Sequence, residues 1–317
     1  MSIQRLRRFA LLAALALLSV LAGCGSGTIE GALKPTRIIT FGDAFSDVGQ
    51  TGANFTVNDG SVNIWTQEAA ALYGRSITPS SAGGLGYSVG NARVILKPDA
   101  AGSSATPTIK EQIDTFLASN TIGPNDLVMI NGGLSDLIVQ WNAVLSGAQS
   151  QAQMTVNLTQ AANDLAAQVR RLTVAGATHV VLVGIYNGGR TPWGTSTGGG
   201  TVLNDAMNTF NNTLLLAVGD LGGSVLYVDI AYFYNLVTGN PKAYSLLDST
   251  SIICASVDPA NGIGIGVNQV NSRLCSLSFI PAGLNYNQYF FADGVYPTPQ
   301  AHRLFGDYVY ARVTQRW

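Results

Sequence analysis

Five short segments with the composition of buried strands recur along the chain, each separated from the next by a longer segment of different spacing. They lie at residues 37–40, 86–89, 126–130, 179–183 and 224–229. Short apolar or β-branched runs bounded by turn residues are typical of strands in a parallel sheet. Parallel strands are joined by right-handed crossovers, which are usually helical. The alternation therefore predicts an α/β protein, a three-layer α/β/α sandwich around a five-stranded parallel sheet.

Six segments carry the spacing of helices. In the longest, residues 156–175, Leu158, Leu165 and Leu172 fall on one face and Gly176 follows the last turn. Such a stripe packs a helix onto a sheet, and glycine is a common helix stop. The other segments are 65–73, 108–119, 134–145, 202–218 and 303–313, the last entered through Pro297 and Pro299.

The segment from residue 35 to residue 317 is predicted to form one domain. Hydrophobic residues make up 47% of the sequence, enough for one large core, and no Pro/Ser-rich linker, charge run or long-period repeat divides it. The net charge is -1 and only 11% of residues are charged, so the chain offers no basic surface to nucleic acid.

The N-terminal 23 residues have the pattern of a targeting segment. Three arginines within residues 5–8 precede an apolar stretch at 9–20, which is short for a membrane span, and the small residues at 21–23 precede Cys24. This pattern resembles a bacterial lipoprotein signal, which implies cleavage before Cys24 and attachment of lipid to its sulfur. The alternative is an ordinary signal peptide with an incidental cysteine.

The lipoprotein resemblance carries an expected location. Residues 24–34 would form a flexible linker between the lipid and the domain, and the lipidated Cys24 would make the membrane a partner. Gly25, in place of an aspartate after the cysteine, is what Gram-negative lipoproteins of the outer membrane carry. The expected location is therefore the bacterial cell envelope, at the outer membrane.

The two remaining cysteines, Cys254 and Cys275, form an even pair in an oxidising compartment. A disulfide between them would close a Gly/Asn-rich loop and stabilise the fold by about 3 kcal/mol. Two separate buried thiols are the alternative. Because no further Cys or His lies close by in sequence, a metal site at this pair is not expected.

Several motifs follow the predicted strands and together carry a family resemblance. They read FGDAFSDVG at 41–49, GYSVGNAR at 86–93, GLSDL at 133–137, GGRTP at 188–192, NPKAY at 240–244 and FFADGVYPT at 290–298. In this order they resemble the conserved blocks of the GDSL, or SGNH, hydrolases, in the bacterial phospholipase/esterase branch. The resemblance spans nearly the whole predicted domain. It implies the flavodoxin-like SGNH fold and hydrolysis of acyl esters without a cofactor.

The family mechanism places four kinds of group on this sequence. A serine attacks the ester, a histidine takes its proton, an aspartate orients the histidine, and donors hold the oxyanion. By resemblance, the nucleophile position is Ala44, the base position is Tyr296 and the orienting acid is Asp293, which alone is retained. The oxyanion positions fall on Asn91, or on Gly90 if the register slips by one, and on Ser135.

These substitutions predict a loss of ester chemistry. Without an oxygen at Ala44 the family mechanism forms no acyl-enzyme. A phenol with a pKa near 10 is a poor base at neutral pH, so Tyr296 removes the second essential group. Asn91 still supplies a backbone N–H, whereas Ser135 keeps a donor of shorter reach. Loss of either serine or histidine in a comparable triad costs on the order of a millionfold in rate.

Other residues are candidates to replace the lost groups. Ser46 is a hydroxyl two positions after Ala44, but hydroxyls there commonly bond a turn at a helix start. His302 follows Tyr296 by six residues and is interpreted as a helix-start residue, with substitution as the base as the alternative. A metal site formed by Asp43, Asp293 and His302 follows no known ligand spacing, so no metal is expected.

Two functions from different classes follow from the sequence. In the first, the chain is a lipid-anchored pseudo-hydrolase whose cleft binds an acyl chain, a glycan or a protein. In the second, it is an active esterase that uses Ser46 or a pairing outside the family pattern on acylated lipid or carbohydrate. Serine-directed fluorophosphonate labelling distinguishes them, because only the second function predicts an adduct that depends on Ser46.

Overall fold

The computed structural model describes residues 32–61 and 64–317. The predictions of a signal segment at 1–23, of lipid at Cys24 and of most of the linker at 24–34 therefore lie outside the described residues. The chain divides into two compact units, of which the larger comprises Lys34–Arg316. Within the described residues, no helix has both the length and the apolar character needed to cross a bilayer.

A parallel sheet forms the centre of the larger unit. Its strands are β1 (Arg37–Phe41), β2 (Asp126–Asn131), β3 (Val180–Val183) and β4 (Val225–Val228), hydrogen-bonded in that order. Both faces of β2 and β3 are buried along their full length, which explains their nearly continuous apolar sequences. The predicted α/β fold with a parallel sheet is confirmed.

The sheet has four regular strands rather than the predicted five. The segment at 86–89 lies beside β1, where Thr40 N donates to the Leu85 carbonyl and Tyr87 N donates to the Thr40 carbonyl. Gly86 also donates to Thr78, and its carbonyl accepts from Ser80. Because its backbone hydrogen bonds are divided between β1 and the loop at 78–80, the segment pairs with β1 through one bridge instead of a ladder.

Helices cover the sheet in two groups. One group packs together from α2 (Ile109–Ser119), α3 (Leu134–Leu145), α4 (Gln151–Val174) and α6 (Gly200–Ala217), with the short α5 (Pro192–Ser196) beside it. The other contains α1 (Trp65–Leu72), α7 (Ile230–Gly239) and α8 (Pro299–Arg316). Together with the sheet, the two groups form the predicted three layers.

Capping residues explain where the helices depart from the predicted bounds. Helix α4 begins five residues early because Ser150 accepts a hydrogen bond from the Gln153 amide. Helix α7 was not predicted; Asp229, assigned to the end of a strand, instead caps it by accepting from the Tyr232 amide. Helix α8 begins at Pro299 rather than at residue 303.

The region after α7 is built from short strands around a disulfide. Strand β5 (Asp248–Ile252) pairs with β8 (Tyr289–Phe291), and β6 (Val257–Asp258) pairs with β7 (Gln269–Val270). Cys254 and Cys275 form the predicted disulfide, with a Cα–Cα distance of 6.0 Å. They pack with Val57, Ile253 and Ala292 in a small buried cluster. The crosslink thus closes the loop at 255–274, and the packing of both cysteines with Ala292 places the ends of this loop beside the segment that follows β8.

Candidate active site

The residues at the family's catalytic positions come from three separate elements that meet at one edge of the sheet. Ala44 follows β1, Ser135 lies in the first turn of α3 after β2, and Asp293 and Tyr296 follow β8. All four are fully buried. The carboxyl ends of parallel strands are where open α/β sheets place their sites. The geometry brings these positions to the same end of the sheet that the family resemblance requires.

The turn that holds Ala44 is fixed by its neighbours. Gln112 accepts from the Gly42 amide through Oε1 and donates to the Gly42 carbonyl through Nε2, both at 2.9 Å. The Asp43 carboxylate accepts from the Phe45 amide at 3.0 Å. A Cβ at position 42 would lie only 1.9 Å from Oδ1 of Asn131, so the close approach of β1 and β2 requires glycine. Ala44 is therefore presented by a rigid turn, with a methyl group where the family has a hydroxyl.

Asp43 is a buried carboxyl with an incomplete set of partners. Its Oδ1 accepts from Asn131 Nδ2 at 2.7 Å, whereas Oδ2 accepts no hydrogen bond from the described residues. Burial raises the pKa of Asp43 from 3.8 to about 6, although the Asn131 hydrogen bond opposes the rise. Sequence reasoning did not single out Asn131, yet its position directly after a buried strand was the available signal.

Asp293 retains its carboxylate but directs it at the backbone. Oδ1 accepts from the amides of Val295 and Tyr296 at 2.8 and 2.7 Å, and Oδ2 accepts from the Ser272 amide at 2.9 Å. Burial raises the pKa of Asp293, and these hydrogen bonds oppose the rise. The group that would orient an imidazole in the family therefore stabilises the loop at 293–296 and joins it to the disulfide loop.

Tyr296 fills the base position with a ring that has no access to solvent. Its hydroxyl has no hydrogen-bond partner among the described residues, and its ring packs on Phe55 with centroids 5.3 Å apart. Burial raises the pKa of Tyr296 well above 10, and the charges of Asp43 and Asp293 raise it further. The phenol stays protonated at neutral pH and cannot take a proton from a nucleophile.

The electrostatic coupling also shows which groups surround Tyr296. The charges that raise its pKa include those of Asp43 after β1 and Asp293 after β8. Both carboxyls also act on the buried phenol of Tyr186, which lies after β3 and donates to the Val295 carbonyl at 2.8 Å. These charge effects weaken with distance, and positions 43, 186, 293 and 296 are all buried, which agrees with their lying in one buried region, called the buried cluster below.

The two oxyanion positions, Asn91 and Ser135, differ in the hydrogen-bonding groups that they provide. Asn91 has a φ of 62°, a left-handed conformation that asparagine tolerates better than most residues, which explains how it replaces a glycine. Its side-chain Nδ2 donates to the Gly262 carbonyl at 2.9 Å. The buried Ser135 hydroxyl has no partner among the residues that the structure describes. Ser135 occupies the position where the family has an asparagine, and its side chain is shorter than that of asparagine.

The motifs around these positions are joined by a buried ion pair. Arg93 Nε donates to Asp136 Oδ1 at 2.9 Å, and the other carboxylate oxygen accepts from the Val94 amide. Each partner is at least nine-tenths buried. The pair connects the second motif to the third and positions the loop that carries Asn91. Both residues lie within the family motifs, but the ion pair between them was not predicted from the sequence.

Ser46 and His302, the candidate replacements, are both engaged in structural contacts. Ser46 Oγ accepts from the indole Nε1 of Trp65 at 2.9 Å, and His302 Nδ1 faces the Trp65 amide at 3.4 Å. His302 Nε2 has no partner in the described part of the chain, and the ring stacks on Phe45 at 4.9 Å. Burial lowers the pKa of His302 to about 3. Both residues are fully buried, and they do not hydrogen-bond to each other.

Asp43, Asp293 and His302 do not form a metal centre. Within residues 32–61 and 64–317, no three carboxylate, imidazole or thiol groups are arranged to hold a metal ion.

A cavity of about 200 Å³ opens beside the buried cluster. Its wall includes Phe55, Asn91 and the polar side chains of Asp47, Asp99 and Arg273. Ala44 and Tyr296 do not line it. Phe55 belongs to this wall and also packs on Tyr296, so its ring lies between the cavity and Tyr296.

Comparison with known proteins identifies relatives over most of the chain. A protein of Pseudomonas putida, described as an uncharacterized protein in the trpE-trpG intergenic region, is 23% identical over 311 residues, covering 88% of this chain and 49% of that protein. The chain thus spans about half the length of this curated relative. Phospholipase A1 from Streptomyces albidoflavus NA297 is similar in structure, with 17% identity, coverage of 88% of this chain and 98% of that chain, and a TM-score of 0.41.

The family described as GDSL-like Lipase/Acylhydrolase matches residues 38–309. This range begins within β1 and ends within α8, so it includes the sheet, both helical layers and every substituted position. The match confirms the resemblance that the motifs carried. The chain belongs to the GDSL-like lipase/acylhydrolase family.

Proposed function

We propose that this chain is a pseudo-hydrolase, a family member that has kept the fold and a binding cleft but not the ester chemistry. The observation that supports it is the state of Tyr296, a fully buried phenol with a raised pKa at the base position, together with a methyl group, that of Ala44, at the nucleophile position. Neither residue can perform the step that its position demands. The remaining role is to bind an acyl chain, a glycan or a protein.

The proposal includes a location. The segment before the domain resembles a lipoprotein signal, and a lipid on Cys24 would hold the domain at the bacterial outer membrane through a linker at 24–34. A fully extended linker of this length reaches on the order of 35 Å. Palmitate labelling of cells that express the chain, with Cys24→Ser as control, should give a lipidated product only for the natural sequence. A labelled Cys24→Ser product would refute the anchor.

The active esterase that uses Ser46 gains no support from the contacts of Ser46 and His302. Fluorophosphonate labelling of the purified chain tests it, because this probe modifies an activated serine. The pseudo-hydrolase proposal predicts no adduct in the natural chain. An adduct that disappears in Ser46→Ala but persists in Ser146→Ala, a matched exposed serine, would establish the esterase and overturn the proposal.

A further inference from the structure

The cavity beside the substituted centre carries an unmet hydrogen-bond acceptor. Asn91 is only 8% exposed and lines this cavity. Its Nδ2 is occupied by the Gly262 carbonyl, whereas its Oδ1 accepts no hydrogen bond from the described residues. A buried amide oxygen without a donor costs about 1–3 kcal/mol. A molecule in the cavity whose donor reached this oxygen, which has no solvent access in the free structure, would remove that cost.

Two carboxylates add further acceptors to the same wall. Asp99 is only 6% exposed, and its oxygens accept from the Ser103 amide at 2.7 Å and the Thr106 hydroxyl at 2.6 Å. Asp47 accepts from three backbone amides, including that of Gly90 at 2.8 Å. Since each carboxylate oxygen can accept two hydrogen bonds, Asp99 retains capacity for an additional donor.

One cation and an apolar surface complete the cavity. The guanidinium of Arg273 donates to the Thr51 hydroxyl at 2.7 Å and stands among the lining residues. Phe55 and Val89 supply the apolar part of the wall. Two carboxylates against one guanidinium leave the site formally negative, which disfavours phosphate or a fatty carboxylate. The volume of about 200 Å³ is below the roughly 300–1,000 Å³ of drug-sized sites, so the cavity itself has room for a group of about one small ring.

We propose that this cavity binds a single neutral, polyhydroxylated ring, as in one sugar residue. The hydroxyl groups of such a ring would donate to Asn91 and Asp99 and accept from Arg273. One kind of group can therefore form hydrogen bonds with all three side chains. The apolar C–H face of such a ring packs against Phe55 and Val89. The inference rests on the proposed function, because it selects a glycan among the ligands that the pseudo-hydrolase would bind.

The test is ligand-detected NMR with the full chain and four neutral probes, namely glucose, galactose, mannose and N-acetylglucosamine. Inorganic phosphate is the anionic comparison. At least one sugar is expected to bind with millimolar affinity, and phosphate is expected to bind more weakly or not at all. Failure of all four sugars at concentrations up to about 50 mM, or a preference for phosphate, would overturn the proposal.

Three variants locate the binding. Asn91→Gly preserves the left-handed backbone but removes the amide, Asp99→Asn removes a charge at similar shape, and Arg273→Gln removes the charge of a half-buried side chain. Each should weaken sugar binding about fivefold or more. The matched controls, Asn268→Gly, which also has a positive φ of 59°, and Asp248→Asn, which also bonds nearby turn residues, should leave affinity unchanged. Binding that survives all three cavity variants would place the ligand elsewhere and refute the assignment.

An ester-hydrolysis assay on the same preparations separates the two proposals. A chain that neither hydrolyses esters nor binds the sugars leaves the pseudo-hydrolase intact and removes only this inference. A chain that hydrolyses sugar esters would refute the pseudo-hydrolase even if the cavity binds the sugar.

Discussion

The indole Nε1 of Trp65 donates a hydrogen bond of 2.9 Å to Oγ of Ser46, and both side chains are fully buried. The backbone amide of the same tryptophan faces Nδ1 of His302 at 3.4 Å. Trp65 therefore contacts both residues that were candidates to restore the missing chemistry: Ser46 in the turn after β1, and His302 in α8. Ser46 is a structural hydroxyl in this arrangement.

Replacing Ser46 with alanine should destabilise the fold without affecting chemistry. The substitution leaves Trp65 Nε1 buried without an acceptor, which costs about 1–3 kcal/mol. Urea unfolding measures the loss, with Ser146→Ala, an exposed serine, expected to change stability by less than about 0.5 kcal/mol. Equal stability of Ser46→Ala and the natural chain would show that the hydrogen bond is absent.

The Tyr296 hydroxyl should contribute nothing to stability. Because it has no partner among the described residues, Tyr296→Phe removes a buried polar group and should leave the free energy of unfolding unchanged or raise it by up to about 1 kcal/mol. Tyr186→Phe is the matched control, since that buried hydroxyl donates to the Val295 carbonyl at 2.8 Å. Its loss should cost about 1–3 kcal/mol. A larger loss for Tyr296→Phe than for Tyr186→Phe would contradict the geometry.

The contribution of Asp43 to the stability of the domain should fall as the pH rises from about 4 to about 6. Burial raises its folded pKa from 3.8 to about 6, so the folded state binds the proton more tightly than the unfolded state does. The stability that this proton supplies is present below 3.8 and is lost as the pH rises through about 6. The difference of about two pKa units corresponds to about 3 kcal/mol.

Asp43→Asn isolates this contribution, since Asp47, Asp136 and Asp293 have pKa values raised by burial in the same direction. Unfolding free energies of the variant should fall less steeply over this pH range than those of the natural chain. Asp248→Asn should leave the slope over this range nearly unchanged and should alter it, in the opposite sense, only below about pH 4. Burial raises the pKa of Asp248, but its hydrogen bonds with Ser251 and Thr250 outweigh that effect and lower it. Parallel curves for the natural chain and Asp43→Asn would refute the assignment.

The buried Arg93–Asp136 ion pair should contribute far more to the free energy of unfolding than the exposed ion pairs do. Arg93→Met leaves Asp136 buried without its cation, which should cost about 3–5 kcal/mol. The matched change at the surface, Arg170→Met, breaks the exposed pair with Asp220 and should cost less than about 1 kcal/mol. Chemical denaturation of both variants checks the contrast, and similar losses would show that the Arg93 pair is not buried.

The fold could be predicted because its signals are local. Four of the five predicted strands are regular strands, and each predicted helix exists, since both elements depend on runs of apolar residues with a fixed period. The pairing of the segment at 86–89 with β1 does not follow from its own apolar residues. Its pairing is decided by the loop at 78–80, which competes for the hydrogen bonds of Gly86 and is distant from any sequence pattern.

The candidate site could be predicted only in part. The family motifs identified Ala44, Asp293 and Tyr296 as site positions. The last two could be placed because, in the family pattern, the base position follows the aspartate by three residues in the same loop. The hydrogen-bond partners around this site come from other elements. Asn131 donates to Asp43, the neighbour of Ala44, and the Ser272 amide donates to Asp293. Their contacts depend on the packing of β2 and of the disulfide loop, which no local pattern in the sequence reports.

Restoring the lost groups should restore chemistry in steps. Ala44→Ser alone provides an oxygen without a base and should remain inactive, whereas Ala44→Ser with Tyr296→His should hydrolyse p-nitrophenyl esters. Adding Ser135→Asn should raise this rate further, by up to about a hundredfold to a thousandfold, because it returns the longer oxyanion donor. An equal rate with and without Ser135→Asn would show that position 135 does not face the oxyanion.

The central claim is tested most directly by p-nitrophenyl ester hydrolysis measured side by side for the natural chain and for the Ala44→Ser, Tyr296→His double variant. The account predicts a background rate for the natural chain and a rate at least about tenfold higher for the folded double variant. Brisk hydrolysis by the natural chain, or a well-folded double variant no faster than background, would contradict it.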